Sequence, residues 1–269
     1  MNARPIALDT SKILAEVNDG VGWLTFNNPE RRNAVSLEMW QGLAQATSAF
    51  EADPEVRVVV LRGAGGRSFA AGADISEFEQ HRANAEQKKR YGELAAGGHR
   101  GLAKLSKPLI AMIQGFCIGG GLAIALSADL RFATPGSRFA IPAAKLGLGY
   151  DYPGLAALAR LVGPSATKDI LFSARMLEAD EALRIGLINF VVDDAELESR
   201  VREYAARVAA NAPMTVHAVK SAMQVFERYS ADPGAAEIAA LVDACFNSDD
   251  YKEGRRAFME KRIPRFSGR

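Results

Sequence analysis

The sequence predicts an α/β fold with a helical C-terminal region. Three observations carry this. Strand and helix signals alternate through the first half, helical patterns dominate beyond Pro153, and two small-residue segments each join a buried strand to a helix-prone stretch. Residues 13–17 and 21–26 read as strands around Asp19-Gly20, a common hairpin signal. Asn27-Asn28-Pro29 ends the second of them. Ser36 is placed as the N-cap of a helix on which Leu37, Trp40, Leu43, Thr47 and Phe50 recur at helical spacing, and Asp53-Pro54 stops it. Within 56–62, Val58-Val59-Val60-Leu61 suits a buried strand, and 63–72 reads as a Gly-rich loop. The stretch 76–106 is polar and helix-prone, with a break expected near Gly97-Gly98. Residues 109–113 form the next buried strand, with shorter strand candidates at 130–133 and 137–141. Helical segments follow at 196–210, 214–229, 235–246 and 251–261, with Pro213 and Pro233 near helix starts, where a missing N–H does little harm. No periodic repeat or linker-like stretch occurs, so a core of residues 1–195 and a C-terminal helical region of 196–269 are expected to pack together.

Composition excludes several classes. A chain of 269 residues buries about three-quarters of its unfolded surface. Lys and Arg number 33 against 32 Asp and Glu, so the basic excess of a nucleic-acid binder is missing. Cys117 and Cys245 are too few and too far apart for a disulfide framework or a zinc site. The N-terminus has no apolar signal core, which leads to an expected cytoplasmic location. Residues 108–128 are uncharged and long enough for a membrane span. Yet Gly115, Gly119, Gly120 and Gly121 cluster between the runs LIAMI and LAIALSA, which reads as a strand, a tight turn and a helix.

The chemistry concentrates in two segments, Ser68 to Ile75 and Gln114 to Leu122. Small residues let another molecule approach the backbone. Two such loops facing each other would aim two N–H donors at one oxygen, the arrangement of an oxyanion hole. Tight strand–helix turns are the plainer reading. Neither segment carries G-x-x-x-x-G-K-[ST] or G-x-G-x-x-G, so phosphate cradling of those types has no support.

Asn33-Ala34-Val35-Ser36, Phe69 to Ile75, Gly115 to Gly121 and the C-terminal run from Ser248 to Arg262 resemble the enoyl-CoA hydratase/isomerase (crotonase) superfamily, in the same order and over almost the whole chain. The resemblance implies a spiral core of ββα turns and a helical C-terminal part that makes trimers, often stacked into hexamers. It implies an acyl-CoA thioester as substrate, CoA being part of that substrate, with no separate cofactor, metal, nucleic acid or membrane partner. By position, the oxyanion-hole donors would be the N–H groups of Ala73 and Gly120. Ala71, Ala73, Asp74, Ile75 and Ser76 would line the thioester and CoA, and Lys261 either meets a CoA phosphate or is a solvated lysine. The family's hydratases use two glutamates to add water; at those positions this chain has Ala123 and Ala143. Asp151 matches an aspartate that acts in some family isomerases and dehalogenases, and reads otherwise as a helix cap. Tyr150 matches a pocket tyrosine of a decarboxylase of the family, which has a histidine where this chain has Ala73. Tyr150 and Tyr152 read otherwise as pocket lining or core. Asp74 is expected to order its own loop, and His81, His99 and His217 to be surface or packing residues. Isomerisation with Asp151 as base, decarboxylation with Tyr150 orienting the substrate, and a catalytically weak acyl-CoA-binding or assembly protein all follow from these residues.

Overall fold

A computed structural model describes residues 3–74, 85–228, 243, 244 and 246–265. Strand β1 (Arg4–Ile6) pairs antiparallel with β2 (Ile13–Asn18). The expected hairpin joins β2 to β3 (Val21–Phe26). Its turn works because Asp19 and Gly20 both take positive φ, 51° and 78°, the conformation a two-residue hairpin of this hand demands. Helix α1 (Leu37–Ala52) follows.

From there the chain winds between two sheets. Strand β4 (Val58–Gly63) leads to β5 (Ser68–Ala70) and helix α2 (Ala85–Lys104). Strand β6 (Leu109–Ile113) leads to β7 (Phe116–Ile118) and α3 (Gly120–Leu126). Strand β8 (Leu130–Ala133) leads to β9 (Arg138–Ala140), a 3-10 turn at Pro142–Leu146 and α4 (Tyr152–Ser173). Then come β10 (Leu177–Glu178), α5 (Ala179–Arg184) and β11 (Phe190–Val191). One sheet runs β1-β2-β3-β4-β6-β8-β11, parallel from β3 onward, and the other β10-β9-β7-β5. Each ββα turn therefore lays one strand in each sheet, which is the expected spiral.

Two-sided burial explains the apolar runs of the central strands. Leu24, Phe26, Val59, Leu61 and Ala111 face the core that holds Leu43 and Phe50 of α1. Val21, Trp23, Val58, Val60, Ile110 and Met112 face outward and are covered by Leu197, Val201 and Ala205 of α6 (Leu197–Ala209). Helix α7 (Pro213–Arg228) follows, and α8 (Asp249–Met259) packs on the 3-10 turn.

Three local expectations are corrected. The loop 63–72 contains β5, and the turn before α3 contains β7; strands of three residues carry too little periodicity to announce themselves and form because they pair with each other. Helix α2 runs unbroken through Gly97-Gly98. Gly98 is there for close helix approach: a Cβ on it would stand 2.7 Å from Trp40 Cε3 of α1. Ser36 sits at the N-cap of α1, but its buried hydroxyl makes no capping bond. Residues 108–128 divide into β6, β7 and α3, and no described helix is long and apolar enough to cross a membrane. Most of the helix expected over 235–246 lies outside the described residues.

Candidate active site

The first loop leaves the end of β5. Ala71 N–H donates to Arg32 O at 3.0 Å, Val35 N–H to Gly72 O at 2.7 Å, and Asp74 N–H to Val35 O at 3.0 Å. Val35 thus bonds the residues on either side of Ala73, as in one rung of a parallel ladder. Successive peptide groups of an extended chain point to alternate sides, so the N–H of Ala73 turns away from Val35. Asn33 anchors the base of this loop. It is fully buried with φ of 56°, and its Nδ2 donates to Ala64 O at 3.0 Å and Ser68 O at 2.7 Å. Its Oδ1 accepts from Asn28 N–H at 2.9 Å. Asp74 does order the loop: its buried carboxylate lies 3.3 Å from Arg31 Nη1. Arg32 lays its guanidinium 5.2 Å from the centre of the Phe116 ring, so two arginines flank the loop.

The second loop leaves β7, the parallel neighbour of β5, at the same end. Gly119 takes φ of 53°, its N–H donates to Ala140 O at 2.8 Å, and its carbonyl accepts from Ala123 N–H at 2.9 Å. Gly120 opens α3, so its N–H lacks an intrahelical acceptor. The loops meet there. A Cβ on Gly120 would lie 3.5 Å from Ala73 N, and one on Gly119 would lie 3.8 Å from Gly72 Cα. Among the described residues neither the Ala73 nor the Gly120 N–H donates to a protein acceptor.

The 3-10 turn forms the neighbouring wall. A Cβ on Gly119 would lie 4.0 Å from Pro142 Cδ, and Leu148 N–H donates to Ala143 O at 3.0 Å. Ala143 is buried and Ala123 half-buried. Tyr150 packs against the core, its ring over Gly154, where a Cβ would lie 2.7 Å from Tyr150 Cε1. Burial, and secondarily the carboxylate of Asp151, push the Tyr150 hydroxyl up to about 12, so it stays a donor. Asp151 occupies the N-cap of α4, yet its exposed side chain makes no cap bond; its carbonyl receives Gly154 N–H at 3.1 Å and Leu155 N–H at 3.2 Å. Asp151 thus stands at the cap position without capping, its carboxylate exposed.

Lys261 is exposed on the C-terminal turn with φ of 54° and touches neither loop among the described residues. Ile75, Ser76, His81 and Cys245 lie outside the described residues. His99 packs against Trp40 with ring centres 5.0 Å apart, and exposed His217 meets Ser106 O at 3.3 Å. Cys117 is buried and its thiol is pushed far above the ordinary range by burial, which leaves it inert. A cavity of about 990 Å³ lies between α8 and the C-terminal tail, away from the loops. Sequence reasoning passed over Asn33 as a loop anchor and Arg31 as the partner of Asp74. The signal available was an asparagine, a residue that tolerates left-handed φ, directly after a Pro-initiated turn.

A family model described as Enoyl-CoA hydratase/isomerase matches residues 16–269. The chain belongs to the enoyl-CoA hydratase/isomerase family. This family member is 36% identical to a short-chain-enoyl-CoA hydratase of Clostridium acetobutylicum over 95% of its length and 97% of the relative's. It resembles the crystal structure of an enoyl-CoA hydratase/carnithine racemase from Magnetospirillum magneticum, at TM-score 0.80 and 35% identity, covering 97% of each chain. It also resembles methylmalonyl-CoA decarboxylase in complex with 2-nitronate-propionyl-CoA, at TM-score 0.89 and 30% identity, over 96% of this chain and 99% of that one. Acyl-CoA chemistry on a crotonase fold is therefore the family-level function of this chain.

Proposed function

We propose that the protein holds the carbonyl oxygen of an acyl-CoA thioester between the N–H groups of Ala73 and Gly120 and decarboxylates a malonyl-type acyl group. The observation that carries the reading is the close approach of the Gly120 backbone to Ala73, a Cβ on Gly120 lying 3.5 Å from Ala73 N, with neither N–H donated to a described protein acceptor. In the step itself the bond from the α carbon to the carboxylate breaks and carbon dioxide leaves. The electron pair moves into the thioester as an enolate, and the α carbon then takes a proton from solvent water. Charge grows on the oxygen, so fixed donors stabilise the transition state more than the ground state, each by about 10²–10³ in rate. Loss of carbon dioxide generates the enolate without a base. This suits a chain with Ala123 and Ala143 at the two positions where the resemblance puts the hydratase glutamates. Tyr150, kept protonated, orients the departing carboxylate. The likeness to methylmalonyl-CoA decarboxylase at TM-score 0.89 supports this reaction.

In this reading Ala71 and Asp74 line the thioester, Arg31 and Arg32 flank the CoA, and Lys261 meets a phosphate. The exposed apolar side chains of α7, with Met214 84% and Phe226 73% exposed, fit the contact of a homotrimer or a dimer of trimers. A second reading, isomerisation with Asp151 as base, is favoured by the uncapped carboxylate beside Tyr150. A panel of malonyl-, methylmalonyl-, dienoyl- and crotonyl-CoA followed by mass spectrometry tests the proposal. Consumption of a malonyl-type ester with weak crotonyl-CoA hydration is expected. Efficient hydration by pure protein overturns it, and binding of every ester without turnover identifies a binding protein.

A further inference from the structure

We propose that α8 is a positioning element for this site, acting through Gly254 and Gly147: it seats the segment 147–151, and with it Tyr150 and Asp151, against the two oxyanion-hole loops. The inference rests on the acyl-CoA reading of the site. It gives a physical reason for the motif residues Ser248 to Gly254 of the C-terminal run.

The helix is built to dock. Ser248 Oγ accepts Tyr251 N–H at 3.0 Å and caps it. Tyr251 is completely buried, its ring 5.0 Å from that of Phe246, with Leu148 packed against the pair. Two glycines then interlock backbone to backbone. A Cβ on Gly254 would stand 2.6 Å from Leu146 C and O. A Cβ on Gly147, where φ is 65°, would stand 2.8 Å from Asp250 O and 2.9 Å from Tyr251 N. Neither clash can be relieved by a side-chain rotation. The tail is tied to the same helix: Arg262 Nη2 lies 2.9 Å from Glu253 Oε2, and Arg265 N–H donates to Glu253 Oε1 at 3.0 Å. On its other side the 3-10 turn reaches the second loop, with Pro142 Cδ 4.0 Å from a Cβ on Gly119. A short, packed path thus links α8 to both the loop and the Tyr150 segment.

Restoring an ordinary carbon contact of about 3.5 Å at Gly254 requires a shift of about 0.9 Å. A displacement of about 1 Å at a site can cost about 10²-fold in rate. The test compares Gly254→Val and Gly254→Ala with Lys252→Ala, a control at an exposed position of the same helix. Three quantities are measured: melting temperature, kcat and KM on the best CoA ester of the wild type, and ultraviolet titration of the Tyr150 hydroxyl by difference from Tyr150→Phe. Gly254→Val is expected to stay folded, to lose about 10²-fold in kcat and to change KM by less than about threefold. Its Tyr150 hydroxyl should titrate below that of the wild type, whose burial raises it. A folded Gly254→Val with wild-type kcat and wild-type Tyr150 titration overturns the inference. If the valine variant does not fold, the same readouts on Gly254→Ala decide. If the wild type turns over no CoA ester, the catalytic reading fails, while the Tyr150 titration still decides whether α8 seats the segment.

Discussion

Replacing Gly120 by alanine adds one methyl group at the first residue of α3; replacing Gly121 adds one at the next. The methyl on Gly120 would lie 3.5 Å from Ala73 N and 3.7 Å from Gly72 C, both ordinary contacts, so the fold accepts it. Glycine-to-alanine at a compatible position stabilises by about 0.4–1 kcal/mol, so melting should hold or rise. The same methyl stands beside the Ala73 N–H, where an oxygen bonded to both donors would sit about 2.9 Å from each nitrogen. Turnover should therefore fall by the worth of a donor, about 10²–10³. Gly121 is different. Its Cβ would lie 2.7 Å from Ala70 Cβ and closer still to the Ala70 carbonyl oxygen, inside the β5–α3 contact. Overpacking of this kind costs about 1–3 kcal/mol, roughly 3–10 °C of melting temperature in a chain this size. Differential scanning fluorimetry and steady-state turnover of the preferred CoA ester, on both variants, separate the two effects. A well-folded Gly120→Ala enzyme with wild-type kcat would refute the oxyanion-hole geometry.

Asn33→Gly should lower the melting temperature, because the buried Ser68 carbonyl loses its partner at about 1–3 kcal/mol and the half-buried Ala64 carbonyl and Asn28 N–H lose theirs as well. Asn33→Ala should lower it further, since a left-handed φ costs a non-glycine residue about 1–2 kcal/mol; equal melting of the two variants would remove backbone conformation from the account. Burial holds His99 down at about 4. The unfolded chain takes that proton near pH 6.5 and the folded chain only near 4, so stability should fall as pH drops through this window. His99→Phe should flatten the acid limb of the melting profile there, and an unaltered limb would contradict the assignment. Asp151→Asn should leave decarboxylation within about tenfold of wild type, whereas a loss of about 10²–10⁴ would make Asp151 the base and favour isomerisation.

What the chain determined by itself is whatever has a local cause. The β2–β3 hairpin follows from Asp19-Gly20, whose positive φ angles are intrinsic to that pair. The central strands follow from two-sided apolar runs, α1 from its apolar periodicity, and the candidate loops from small residues after buried strands. Tertiary structure decided everything that depends on a distant partner. Strands β5 and β7 exist through pairing, β5 with β7 and β7 also with β9, and Gly97-Gly98 does not break α2 because Gly98 meets Trp40. Ser36 and Asp151 reach N-cap positions without a side-chain cap bond, so the linear pattern placed the helix starts but not the bonds there. The approach of Ala73 to Gly120, and of Gly254 to Leu146, is likewise a matter of which backbones can come within van der Waals distance. Sequence supplies the missing side chains that permit such contacts, and only the packed fold selects which backbones use them.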